Sequence, residues 1–358
     1  PARPRPPAGP GVSQPGPGGG RRPALIFRRR PAWSSASSGR PEMAKTYLVT
    51  GGAGFLGAAI ALRLVREGHR VRVLDNLSRG KASRLSRASG IDFIEADIRD
   101  ASAVEKAARG VDSVLHLAYV NGTEHFYREP ERVLDVGVKG IVNVLDACLR
   151  CGVGELVLAS SSEVYQDPPR VPTDEGVPLS IPDPLNARMS YAAGKILGEV
   201  MALAYGRSRI SRVLVFRPHN VYGPDMGEEH VLPQFVRRVK GLLASKEDPL
   251  PFPIQGTGKE TRSFLYVADL VEGVRLMMEK GEHRGIYHVG TSEELEVRRV
   301  AEMVGEHFGR RIRVVPGPLA PGSPLRRCPD ISKLSALGFR PRVTLKEGLP
   351  RLAEWYAT

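Results

Sequence analysis

From position 46 onward, short runs rich in Val, Ile and Leu alternate with longer stretches in which apolar residues recur every three or four positions. The short runs are TYLVT (46–50), RVRVLD (70–75), IDFIEAD (91–97), SVLHLA (113–118), ELVLAS (155–160) and RVLVFRP (212–218), and the longer stretches predict helices over 58–67, 101–109, 130–149 and 191–205. Strands written as unbroken apolar runs are buried on both faces, which is the mark of a parallel sheet wrapped by helices. The expected fold class is therefore α/β, a doubly wound parallel sheet. After about residue 224 Pro and Gly become frequent and the elements shorten; RSFLYV (262–267), GIYHVG (285–290) and RIRVVP (311–316) alternate with helical patterns at 268–279, 297–308 and 345–356. This predicts a sheet domain over 43–224 and a smaller C-terminal α/β lobe over 225–358, with the chain crossing between the two.

Composition refines this outline. The chain has 358 residues and 41% hydrophobic content, enough for a full core, and no apolar run reaches the roughly 18 to 20 residues that span a bilayer. A soluble protein without a membrane partner is expected. The net charge of +13 raises the question of nucleic acid, but +7 of it falls before Met43. That extension, 1–42, is rich in Pro, Gly, Arg and Ser and lacks periodicity, so it is expected to be disordered. It reads as translated upstream sequence or a cloning artefact, as a native tail, or as a targeting segment, with Met43 as a natural start. Without an aromatic and basic stripe, no nucleic-acid partner is expected. Three cysteines in so long a chain suit a reducing, cytoplasmic setting. Cys148 and Cys151 form a lone C-x-x-C read as buried thiols, and no metal is expected.

The first strand runs into Gly51, Gly52, Gly54 and Gly57 before a helical pattern begins. Gly52-x-Gly54-x-x-Gly57 and Gly51-x-x-Gly54-x-x-Gly57 both fit a dinucleotide turn: glycine permits the tight bend, close approach to a pyrophosphate and packing of helix on strand, while the helix N-terminus offers free N–H groups. The second strand ends at Asp75, 18 residues after Gly57, where a carboxylate can bond a ribose 2′-hydroxyl and repel a 2′-phosphate. NAD is favoured over NADP, with Arg72 and Arg79 as guanidiniums that could still accept that phosphate. At the ends of the next two strands, Asp97 and Ile98 fall where adenine would lie, and Leu117 and Ala118 would meet the middle of the cofactor. Asp97 reads equally well as a helix N-cap.

The fifth strand leads into ASSSEVY, and 30 residues after Ser161 comes SYAAGK. Tyr191 and Lys195 are four apart and share a helix face, where a lysine cation would favour the ionised phenol. A serine at the carboxyl end of a parallel strand can bond the same reacting oxygen. Of the three serines, alternation along the strand favours Ser161 over Ser160 and Ser162.

Together TGGAGFLG, DNLS, SSSEVY, YAAGK and RPHNVYGP resemble the extended short-chain dehydrogenase/reductase family, the NAD-dependent nucleotide-sugar epimerases and dehydratases, over nearly all of 43–358. The resemblance implies a Rossmann domain holding NAD and a C-terminal lobe binding a nucleoside diphosphate sugar. It implies cofactor contacts at Gly51, Gly54, Phe55, Leu56, Gly57, Asp75, Asn76, Asp97, Ile98, Leu117, Ala118, Tyr191 and Lys195. Tyr191 would be the catalytic base, Lys195 would hold the nicotinamide ribose, and Ser161 would be the third catalytic hydroxyl. Asn220, Arg262 and Arg327 match substrate diphosphate contacts, a task that suits a planar guanidinium. Two positions depart from the family pattern: Gly137 replaces its active-site asparagine and Gln166 replaces a glycine. A homodimer is expected, paired through the helices at 130–149 and 191–205.

Glu163 bears on the reaction. By strand alternation it would share a side with Ser161, and a glutamate there can serve proton or carboxylate chemistry beside a 4-ketone. The first expectation is an NAD-dependent epimerase working through a transient 4-keto intermediate, like UDP-glucose 4-epimerase. The alternatives are a 4,6-dehydratase, a UDP-glucuronate decarboxylase or, from another class, a noncatalytic NAD-sensing regulator.

Overall fold

Along β1 (Thr46–Thr50), Tyr47 and Val49 pack into one apolar cluster while Leu48 packs into another on the opposite face of the sheet. Alternating side chains that are apolar on both sides require a cover on both sides. The chain provides it with α1 (Phe55–Arg66) on the first face and α2 (Ala101–Ala108), α4 (Pro130–Cys151) and α5 (Met189–Tyr205) on the second; α3 (Thr123–Arg128) lies between β4 and α4 in the chain. The computed structural model describes residues 44–357 except 87, 320 and 321. The extension 1–42, the start proposed at Met43 and the last residue, Thr358, lie outside the described residues.

The main sheet has seven parallel strands, adding β2 (Arg70–Asp75), β3 (Ile91–Glu95), β4 (Ser113–His116), β5 (Glu155–Ala159), β6 (Arg212–Pro218) and Gly285–Val289 to β1. Their spatial order is Gly285–Val289, β6, β5, β4, β1, β2, β3. The order reverses between β1 and β4, and such a switch point opens a crevice at the carboxyl ends of the strands. The strand Gly285–Val289 returns from the later part of the chain to pair β6, and α7 (Val267–Lys280) joins the cluster that covers the first face.

Three helices, α6 (Val231–Leu242), Val297–His307 and Leu345–Ala357, enclose a separate apolar cluster around Tyr222, Phe235, Phe252 and Leu352. Leu250–Pro253 pairs Ile312–Val315 in parallel beside it, and Thr261–Ser263 lies between Glu294–Glu296 and Arg326–Arg327. Among the described residues no helix is long and apolar enough to cross a membrane.

Candidate active site

The crevice widens into a cleft of about 1040 Å³ bordered by the glycine turn, the ends of β4 and β5, α5 and the smaller lobe. Every residue expected to contact cofactor or substrate or to act in catalysis lines it except Asp97. Gly51 has φ +70°, and a Cβ there would meet the Ala118 backbone inside 3.0 Å; at Gly57 a Cβ would overlap the Gly51 carbonyl. Gly54 caps α1 without a side chain, so the first-turn N–H groups face the cleft with no acidic residue beside them. Those open donors and that bare backbone fit a dinucleotide pyrophosphate.

Asp75 is buried and braces the turn: its carboxylate accepts from the Ala53 N–H at 2.9 Å and the Leu77 N–H at 2.8 Å, and still lines the cleft. Arg72 points elsewhere, bonding Asp92 at 3.0 Å and the carbonyl of Ala107 at 2.6 Å. Arg79 reaches across the cleft mouth to pair Glu229. Both guanidiniums are therefore engaged by partners other than Asp75.

Asp97 is not the helix N-cap of its alternative reading. Arg99 bonds both of its oxygens and Asn76 one of them at 3.0 Å, and these contacts, the Arg99 bond first, hold the carboxyl down at about 2. The N-cap of α2 is Asp100, which accepts from Ser102 and Ala103.

β5 ends at Ala159, and Ser161 starts a single turn of 3-10 helix over Ser162–Tyr165, its hydroxyl accepting from the Glu163 N–H at 3.2 Å. Strand alternation thus does not extend to Glu163, because the ladder has already ended. The turn nonetheless leaves the carboxylate in the cleft, where it accepts from Arg327 at 2.7 Å and from Arg188 at 3.3 Å. Burial alone would raise the Glu163 carboxyl, but the two guanidiniums outweigh it and bring the group down to about 2. It is a fixed anion with no proton to give.

Tyr191 lies buried on the inner face of α5, its hydroxyl bonded to Ser161. Burial pushes its phenol above the usual range, opposed by the Ser161 bond and the charge of Arg79. Lys195 donates to the Ala159 carbonyl at 2.7 Å, stands 5.7 Å from the centre of the Tyr191 ring, and is brought down to about 7 by burial. The expected stabilisation of a phenolate by Lys195 is not what sets the Tyr191 proton here; desolvation dominates both groups.

Beyond β6, Asn220, at φ +37°, donates to the Ser263 carbonyl at 3.0 Å. Arg262 bonds the Thr261 carbonyl at 2.8 Å and is lowered by burial to about 10, so it remains a cation. Buried nitrogens of Arg188 and Arg327 have no partner and lie at the cleft wall. Arg188 escaped sequence reasoning, although its place three residues before Tyr191 puts both at the start of one helix. Tyr119 and Phe126 also escaped it: Phe126 stacks on Tyr191 at 4.6 Å and Tyr119 meets it edge-on at 5.1 Å. Cys148 is buried, its thiol pushed up to about 12 by desolvation, while Cys151 is half-buried; both are free.

Known proteins resemble this chain in sequence and in fold. UDP-glucuronic acid decarboxylase 1 from Arabidopsis thaliana is 34% identical over 306 residues, 85% of this chain and 68% of that protein. A putative UDP-glucose 4-epimerase from Methanocaldococcus jannaschii is 30% identical over 86% of this chain and 97% of its own length. Among solved structures, a Thermus thermophilus UDP-glucose 4-epimerase in complex with NAD superposes with a TM-score of 0.76 at 32% identity, covering 87% of this chain and 98% of the other. A glycine turn that leaves room for a pyrophosphate, on a sheet shared with these enzymes, agrees with the family description that matches residues 47–290, and the chain belongs to the NAD-dependent epimerase/dehydratase family.

Proposed function

We propose that this protein is a nucleoside diphosphate sugar 4-epimerase that works through a transient 4-ketone. NAD, held by the turn from Gly51 to Gly57 with Phe55 and Leu56, by Asp75 and Asn76, and by Ile98, Leu117 and Ala118, supplies the hydride acceptor and donor at C4. Tyr191 takes the proton of the C4 hydroxyl and later returns it, Ser161 donates to the same oxygen, and Lys195 fixes the cofactor's ribose from its anchor on Ala159. Asn220, Arg262 and Arg327 hold the diphosphate.

The state of Glu163 carries this reading. Eliminating water from a 4-keto sugar needs a base for the C5 proton and an acid for the leaving hydroxyl; a carboxylate held ionised near 2 by two arginines is a weak base and has no proton to lend. Epimerisation needs neither.

Decarboxylation of a 4-keto uronate is the second reading. It needs no base for the bond-breaking step, and the unpartnered nitrogens of Arg188 and Arg327 are suitable donors to a carboxylate; the Arabidopsis relative bears the name of such an enzyme. Incubation with UDP-glucose, UDP-N-acetylglucosamine, UDP-glucuronate and dTDP-glucose, read by mass and NMR, separates the possibilities. A product of unchanged mass with inverted C4 supports epimerisation. Loss of carbon dioxide from the uronate transfers the assignment to the second reading, and loss of water rejects both.

A further inference from the structure

Tyr119, in the loop after β4, has its hydroxyl buried without a hydrogen-bond partner. The oxygen sits in a notch between α4 and α5 whose walls are Gly137 and Gly194; a Cβ on either glycine would overlap it, well under 3.0 Å away. The ring presents its face to the Lys195 ammonium, 4.2 Å from the centroid, and its edge to Tyr191, with interplanar angle 81°. Phe126 closes the far side of Tyr191 in a near-parallel stack at 22°. Both helix faces are therefore cut back to admit one aromatic ring, and that ring touches the two side chains on which proton transfer depends.

We propose that Tyr119 is a positioning residue, its ring seated between Gly137 and Gly194 so as to hold the Lys195 ammonium against one face and the Tyr191 ring against one edge. This rests on the reading of Tyr191 and Lys195 as the proton-transfer pair. Lys195 donates to a single carbonyl and feels the charge of Glu199, which opposes its desolvation only in part. His116 on β4, bonded to Thr50, is held neutral by burial, and Glu199 on α5 is committed to Arg217 and Ser160. Glu163 and Arg79 act on Tyr191. The face of a desolvated aromatic ring is attractive to an ammonium at this distance. The notch also explains Gly137: with Tyr119 in place, a side chain at that position has no room.

The test follows the Lys195 titration in the full-length protein labelled with ¹³C,¹⁵N-lysine, the signal being assigned by its absence in Lys195→Met, together with kcat and KM for the sugar that turns over. Tyr119→Leu is expected to move the midpoint down from about 7 by roughly one unit, and to lower kcat about tenfold with KM within about twofold. Tyr119→Phe keeps the ring and should retain the original midpoint. Gly137→Ala expels the ring and should reproduce the Tyr119→Leu shift, while adding nothing in a Tyr119→Leu background. An unmoved midpoint and kcat in Tyr119→Leu, or full additivity of the two substitutions, overturns the proposal. Should no nucleotide sugar react, the proposed function fails while the Lys195 titration still decides the role of Tyr119.

Discussion

Glu163 is a carboxylate whose neighbours have decided its chemistry. Its folded value of about 2 lies below the ordinary 4.5, so the stability it contributes is present above the ordinary value and lost as the pH falls toward the folded one. Glu163→Gln should therefore cost about 2–3 kcal/mol at pH 7, with the gap to the wild type narrowing in urea denaturation as the pH falls from the ordinary 4.5 down to about 2. If the protein is an epimerase, turnover in this variant stays within about tenfold, because no proton passes through the position. Loss of product with continued reduction of bound NAD would instead point to elimination. Tyr191 is the opposite case, a phenol that burial keeps protonated. It must give up that proton before it can accept one, so turnover should rise from about pH 6 to about pH 9, and Tyr191→Phe should reduce it by about 10² or more while NAD stays bound. Near-normal turnover in Tyr191→Phe would remove the residue from the mechanism.

Between β5, β6 and α5 a buried network fixes the floor beneath these side chains. Arg217 on β6 donates to both oxygens of Glu199 on α5, at 2.8 and 2.5 Å, Ser160 at the end of β5 donates to the same carboxylate, and Arg217 also bonds the Tyr165 hydroxyl. Arg217 and Glu199 are each 2% exposed in their side chains, so removing one partner leaves an uncompensated buried charge. Arg217→Met should lower unfolding stability by about 3–5 kcal/mol, measured by denaturant melts, and a loss below about 1 kcal/mol would show that the network is not a structural brace. None of this was legible beforehand, because the partners lie far apart in the chain and no spacing announces them. The strands themselves were legible: TYLVT, RVRVLD and RVLVFRP match β1, β2 and β6 at both ends, since each is an apolar run stopped by turn residues. IDFIEAD, SVLHLA and ELVLAS were expected one or two residues too long, because their last residues leave the ladder toward the cleft. RSFLYV splits at Phe264, since Thr261–Ser263 pairs Glu294–Glu296 while Leu265–Tyr266 pairs Val221–Tyr222 in another sheet. α6, with Pro233 in its first turn, had no sequence expectation at all. At the site, the glycine turn, Asp75 and the serine, tyrosine and lysine set were readable from local spacing, whereas the pairing of Glu163 with Arg327 spans 164 positions and only the folded chain reveals it.

At the scale of the whole molecule, the outer faces of α4 and α5 present more apolar surface than a chain acting alone requires. Leu134 and Val142 on α4 and Leu197 and Val200 on α5 are exposed, Val200 to 58%. α4 has 22 residues, giving a helix of about 33 Å, and together with α5, beside their counterparts in a second copy, it would build a four-helix interface; a stable dimer needs about 800 Å² per partner. A twofold axis makes each exposed residue meet the same small set of partners twice, so one substitution acts on both halves of the contact. We expect the protein to sediment as a homodimer, and Leu197→Asp with Val200→Asp to shift it to a monomer, since four like charges would then be gathered at one apolar seam. Tyr191 and Lys195 occupy the buried face of the same helix, so the monomeric variant should still bind NAD, which isothermal titration can check. A wild-type chain that remains monomeric across a hundredfold range of concentration in analytical ultracentrifugation would reject this pairing and leave the apolar faces of α4 and α5 without a role in self-association.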